Sequence, residues 1–266
     1  MIRLLKIEFH KVVYYKTFWI IFGLYVILLA PIAYGCDHIV KSLLSQGKGE
    51  EMDMVRMMLQ DYSIFNFPDV WLNMAYVASC FKLFLAVVIV LLVTNEYSYR
   101  TLRQNIIDGM SKWEVIWAKE LIILILSISA VILLVSLTLI LGDSQSDVSL
   151  FQGSSIIFPY FISLIMYLNF AYFLSTWLKK SGFVIGILFL YSIVIETLIS
   201  YKLPENIRKF LPMNLINNMI PNPLGKFMGE NVVSDSSILN IAVCTLYTVA
   251  FIFLNNWMLK KGQLGK

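Results

Sequence analysis

Charge is what this chain has least of. Only 14% of its 266 residues are Asp, Glu, Lys or Arg, and 59% are hydrophobic. Soluble domains carry about 25% charged residues. The shortage excludes a water-soluble globular domain and suits a chain whose solvent is lipid. Metal-binding and redox side chains are equally scarce. The three cysteines (Cys36, Cys80, Cys244) and two histidines (His10, His38) form no CxxC and no Cys/His cluster, so neither a disulfide framework nor a metal site is expected. No GxxxxGK[ST] occurs, so the chain has no Walker A loop to cradle ATP phosphates. A net charge of +4 is too mild to point to nucleic acid. Internal repeats and low-complexity tracts are missing as well.

What remains is apolar and long. A helix needs about 20 apolar residues to cross a hydrocarbon core of about 30 Å. Six runs meet that need, at about 18–35, 71–94, 121–141, 156–178, 183–201 and 238–259. Lys and Arg concentrate in the short segments on one side: Arg3, Lys6, Lys11, Lys16, Arg100, Arg103, Lys112, Lys119, Lys179, Lys180, Lys260, Lys261 and Lys266. Cytoplasmic loops carry that excess. The expected fold is therefore an all-α polytopic membrane protein. It is a single transmembrane domain over 1–266 with six transmembrane helices, and both the N- and C-termini are cytoplasmic.

Residues 1–16 read as an amphipathic interfacial helix, with Ile2, Leu5, Phe9, Val12 and Val13 on one face and basic residues over the rest. No small-residue cleavage site follows the first apolar run, so that span is expected to stay. The segment 202–237 is broken by Pro204, Pro212, Pro221 and Pro223, yet it carries Phe210, Leu211, Leu215, Ile216, Met219 and Ile220. It is too apolar for a solvated loop and too short of apolar residues to span, which predicts an outer re-entrant or short-helix loop. The segment 36–70 holds Met52, Met54, Met57 and Met58, adaptable side chains that either fill gaps or touch a variable partner.

The loop between the second and third spans, 95–120, carries two helix-start signatures in tandem, Thr101-x-x-Gln104 and Ser111-x-x-Glu114. Asp108-Gly109 lies between them, and Gly109 suits a left-handed helix end. The pattern predicts a short helix of about two turns, a sharp turn, and a second helix entering span three. On spacing alone, the short helix either lies on headgroups or docks on a protein partner through Ile106 and its neighbours, with Arg103 and Gln104 on the wet side.

Here the chain resembles the membrane subunit of an ABC-2 type exporter. The resemblance rests on Glu96, Thr101, Gly109, Ser111, Lys112 and Lys119, in the pattern E-x4-T-x7-G-x-S-K-x6-K after the second of six spans. The basic N-terminal segment and the long loop before the last span support it. The resemblance implies a permease subunit of an ATP-driven exporter in the bacterial cytoplasmic membrane. A coupling helix at about 101–108 would dock on a separate ABC ATP-binding subunit. ATP and Mg would sit on that partner, leaving this chain without a cofactor or a catalytic role. The permease would form the translocation pathway as a homodimer or with a sister permease, in contact with membrane lipid. An amphipathic peptide or lipid is the substrate class that the apolar walls suggest. Two readings compete with it. A membrane-embedded lipid-modifying enzyme would want clustered acids or histidines at one membrane face. An ATP-independent secondary transporter or channel would want broken helices at the midplane or matched halves.

Two charges fall inside expected spans. An ionisable side chain at the bilayer centre costs about 2.5–3.5 kcal/mol on insertion scales, so each demands a reason. Counted at about 1.5 Å per residue, Lys82 lies about 18 Å from Thr94 and Glu196 about 21 Å from Gly182. The two share a level in the outer half of the membrane. They are candidate pathway residues: either both face the interior and pair, within one chain or across a dimer, or Lys82 snorkels outward along its own stem and Glu196 is protonated or reaches headgroup water.

Overall fold

The computed structural model describes residues 13–46, 65–107, 109–143, 149–223 and 238–261. The amphipathic stretch expected over 1–16 falls mostly outside these residues, as do Met52, Met54, Met57, Met58 and the second half of the 202–237 loop. Among the described residues the chain is helical, with no strand. Helix α1 is Lys16–Gln46, α2 Asp69–Cys80 and α3 Lys82–Ser98. The short α4, Thr101–Ile107, precedes the long α5, Lys112–Leu141. A 3-10 turn, Ser154–Ile156, opens α6, Ile157–Leu178. Helix α7, Ser181–Leu190, passes through a π-helical turn, Tyr191–Ile195, into α8, Glu196–Lys202. Two small helices follow, α9 (Glu205–Arg208) and α10 (Pro212–Met219), and α11 is Ile238–Lys261.

Five of these rods are long and apolar enough to cross a membrane: Asp69–Ser98, Lys112–Leu141, Ser154–Leu178, Ser181–Lys202 and Ile238–Lys260. Helix α1 carries a shorter apolar stretch, Lys16–Leu29. The chain is therefore a multi-pass helical membrane protein. Consecutive rods alternate in direction. The described residues of the 99–111 turn and the 179–180 turn lie at one end, called here the basic end, and residues 142–143, 149–153 and 203–220 lie at the far end.

Helix α6 is the centre. It packs against α11, α3 and α5, and 67% of its most apolar window is buried, against 17% for the Ser181–Lys202 rod. Its inward residues include Tyr160, Leu164, Met166, Tyr167, Leu168 and Ala171. Helix packing in lipid depends on such close van der Waals contact, since lipid tails are as apolar as the helix surfaces. Aromatic rings join α6 to α11, with Phe170 and Phe173 lying 5.5 and 5.6 Å from Phe251.

Several serine and threonine hydroxyls inside the spans are satisfied within their own helices. Thr94 donates to Val90 O (2.7 Å), Ser127 to Ile123 O (2.8 Å), Thr138 to Leu134 O (2.7 Å) and Ser175 to Ala171 O (2.7 Å). Bonds of this kind let Ser and Thr enter hydrocarbon without a partner on another helix.

The loop expected over 95–120 is shorter than its sequence suggested. Helix α3 runs on to Ser98 and α5 begins at Lys112, so 99–111 alone connects them. The box at Ser111 explains the early start. Ser111 N–H donates to Glu114 Oε2 (2.8 Å), and Glu114 N–H donates to Ser111 Oγ (3.2 Å). Both otherwise unpaired donors at the helix start are thereby satisfied. The Thr101 signature behaves differently. Gln104 N–H donates to the Arg100 carbonyl (3.3 Å), and Arg100 takes the left-handed conformation (φ 56°), so the cap position falls on Arg100 and Thr101 is the first helical residue.

Candidate functional site

At the basic end, the residues that stood in the sequence as separate contact candidates are brought together. Glu96, near the end of α3, and Lys119, two turns into α5, form an ion pair with Nζ 2.6 Å from Oε1. Both are buried, at 7% and 4% exposure. Neither side chain is therefore free to touch a docking protein. Together they tie the two helices between which α4 is slung. A charge-assisted bond this short, out of water, holds its geometry firmly.

The neighbouring residues extend the tie. Asn95 Nδ2 donates to the Tyr15 hydroxyl (2.8 Å) just before α1. The Lys179 ammonium lies 5.4 Å from the centre of the Tyr97 ring, a cation–π contact to the α6–α7 turn. The run Asn95-Glu96-Tyr97 thus reaches three other parts of the basic end. Sequence reading chose Glu96 and passed over its two neighbours. A polar triplet closing an apolar run was the available signal.

Helix α4 itself projects from this brace. Gln104 and Ile107 are exposed, Ile107 at 77%, and Thr101, Leu102 and Ile106 are half-buried. The helix that carries Arg103 is thus placed, and Lys112 sits half-buried at the first position of α5. Gly109 ends the turn with φ +95°, as expected for a left-handed helix end, and a Cβ there would meet open space. The requirement for glycine at this position is therefore conformational.

At the far end, Lys82 and Glu196 both turn toward the bundle. Glu196 is 2% exposed, and it is close enough for its charge to act on Lys82. Yet they make no ion pair. The Lys82 ammonium lies 5.3 Å from the centre of the Tyr167 ring and 3.5 Å from Ser79 Oγ. Tyr167 in turn shares a hydrogen bond with Ser192 (3.1 Å). Glu196 Oε1 accepts from the backbone N–H of Asn214 (2.7 Å), at the start of α10. The intrachain pairing expected from their common depth is thus replaced by separate partners. The other Glu196 oxygen, Oε2, is buried with no hydrogen-bond partner.

The inward face of the Ser181–Lys202 rod follows a four-residue spacing: Val184, Leu188, Ser192, Glu196 and Ser200. All but Ser192 are buried, and Ser192 meets Tyr167. On a helix of 3.6 residues per turn that spacing drifts by about 40° per step. Four steps would carry the stripe about 160° around and send its polar end toward lipid. The π turn at Tyr191–Ile195 has more residues per turn and takes back part of the drift. Nothing in the composition of YSIVI announced it.

Other polar atoms of the spans are buried as well. Glu120 Oε1, Asn169 Oδ1, both amide atoms of Asn255 and Asn256 Oδ1 are buried without hydrogen-bond partners. They sit on α5, α6 and α11. Amides inside apolar runs were legible in the sequence as exceptions, but their inward direction was not. Among the described residues no group of His, Cys, Asp or Glu could hold a metal ion.

Residues 52–264 match the model of a family described as protein of unknown function (DUF2705), more than half of the chain, so the chain belongs to that family. No curated protein and no solved structure matches it.

Proposed function

We propose that this DUF2705 protein is the permease subunit of an ATP-driven ABC-2 type exporter, with six spans and both termini in the cytoplasm. The observation that carries this reading is the braced, projecting helix α4. A seven-residue helix is far too short to be stable alone in water. Here it is fixed between two long rods by the Glu96–Lys119 pair at 2.6 Å and by the capping box at Ser111. A push on α4 would therefore reach both rods without being absorbed by a loose loop. That is what an ATP-binding partner needs from a membrane subunit that has no phosphate-cradling loop of its own. Two permeases, identical or sister chains, would pair in the bacterial cytoplasmic membrane and bind two such partners. An amphipathic peptide or lipid is the proposed cargo class, since the exposed faces of the spans are apolar. The reading also puts α10 and the far-end charges on the outer side.

The test is capture of an ATP-binding subunit by the full chain in detergent. Replacing Arg103, Gln104 and Ile106 together by Ala should lower partner-stimulated ATP hydrolysis about tenfold or more, the scale of one lost cluster of docking contacts. Insertion in the membrane should be unchanged. Unaltered partner binding and unaltered ATP hydrolysis would end this reading.

A further inference from the structure

Helix α10 has eight residues, Pro212–Met219, too few to hold a helix by themselves. Its order must come from what it touches. Its underside, Met213, Leu215, Ile216 and Met219, is buried, and it packs against α6 and α11. Met219 Sδ lies 3.4 Å from the buried thiol of Cys244 on α11. Just before the helix, the Phe210 carbonyl accepts from the Tyr247 hydroxyl (3.1 Å).

The polar tie is concentrated on one residue. Pro212 takes the first helical position and lacks an N–H, and the N-cap Leu211 has no side-chain acceptor. The Asn214 N–H, in the first turn, has no acceptor inside the helix. Glu196 Oε1 supplies one from a different element (2.7 Å). The Asn214 side chain donates to Ser200 Oγ (2.6 Å) and to the Arg208 carbonyl (3.1 Å). Glu196 and Ser200 stand one turn apart on α8, so a single rod grips both the backbone and the side chain of Asn214.

We propose that Glu196, Ser200 and Asn214 form a latch that holds α10 closed over the far end of the bundle, and that releasing it uncovers the α11 face at Cys244. The grip is incomplete, because Glu196 Oε2 is buried without a hydrogen bond of ordinary length, with the Tyr191 side chain nearby. An acceptor oxygen left in that state offsets part of what its twin gains. The closed position is thus held by a bond strong enough to order a short helix, with a carboxylate oxygen that any open arrangement can satisfy with water. The inference does not depend on an ATP-binding partner or on which side faces the cytoplasm.

Cys244 reports on the latch directly. The protein is placed in lipid nanodiscs, where both faces meet solvent, with Cys36→Ala and Cys80→Ala leaving one thiol. Modification of Cys244 by a charged maleimide should be slow. Glu196→Ala should speed it about tenfold, as loss of a hydrogen bond to a charged group allows. Glu196→Gln, which keeps an acceptor, should stay within about threefold of the starting rate. Ser200→Ala and Asn214→Ala, milder changes, should each fall between. Backbone hydrogen exchange over 211–220 should rise in the same order, which separates local release from general unfolding. Labelling and exchange unchanged in Glu196→Ala would overturn the latch. So would Lys82→Met releasing Cys244 as fast as Glu196→Ala, because the Lys82 charge would then be the fastening.

Discussion

The two ends of the bundle handle buried charge in opposite ways. At the basic end, Glu96 and Lys119 meet at 2.6 Å and are both nearly sealed from solvent. At the far end, Lys82 and Glu196 sit within electrostatic reach but take separate neighbours, a tyrosine ring and a backbone N–H. A direct pair makes a rigid joint between two rods. A divided pair leaves each group with bonds that are individually weaker and easier to exchange. The difference predicts a stiffer joint at the basic end than at the far end. It also explains why the far end keeps an unsatisfied oxygen while Glu96 and Lys119 satisfy each other.

The same substitution made at both lysines would sharpen this contrast most. Lys119→Met removes the cation that faces the buried Glu96 carboxylate, and breaking a buried pair in this way costs about 3–5 kcal/mol. On a rod assembly of this size that predicts a fall in melting temperature of about 10 °C in detergent. Adding Glu96→Gln should recover most of the loss. If Lys119→Met melts like the native chain, the rigid joint is not where we place it. Gly109→Ala should have a smaller and local effect. A Cβ meets nothing there, so the cost is the left-handed backbone alone, about 1 kcal/mol. It should show as faster hydrogen exchange over 101–107 with little change in global melting, and Gly109→Asn should be milder. Smallest of all should be Lys82→Met. It removes a long hydrogen bond and a cation–π contact, each worth about 1 kcal/mol, and also relieves a buried charge. Melting should stay within about 2 °C. A collapse matching that of Lys119→Met would erase the distinction between the ends.

How far the sequence foretold this depends on the kind of signal. Apolar length is a strong one. The runs expected at 71–94, 156–178, 183–201 and 238–259 all lie inside observed rods, because hydrocarbon leaves the backbone no choice but helix. The capping box at Ser111 and the left-handed Gly109 were also readable, since each depends on residues three or fewer positions apart. What failed were inferences that needed direction around a helix. Glu96 and Lys119 lie twenty-three positions apart in the chain, and nothing local told that both point inward. They were read as contact candidates in one loop, and the loop turned out to be two helix ends. The 1.5 Å rise puts Lys82 and Glu196 at one depth. Depth alone could not say that Asn214, from a segment beyond the rod, would take the carboxylate.

In the arithmetic of a helix, the π turn at Tyr191–Ile195 is a single residue inserted into an α-helix that absorbed it without breaking. Deleting one of those five residues would restore an ordinary helix and rotate everything beyond it by about 100°. Glu196 and Ser200 would swing from the bundle toward lipid, while Val184 and Leu188 kept their places. The length of one rod, counted in codons, therefore sets whether the far end has a polar fastening at all. A relative one residue shorter here would share every span and lack the grip on α10.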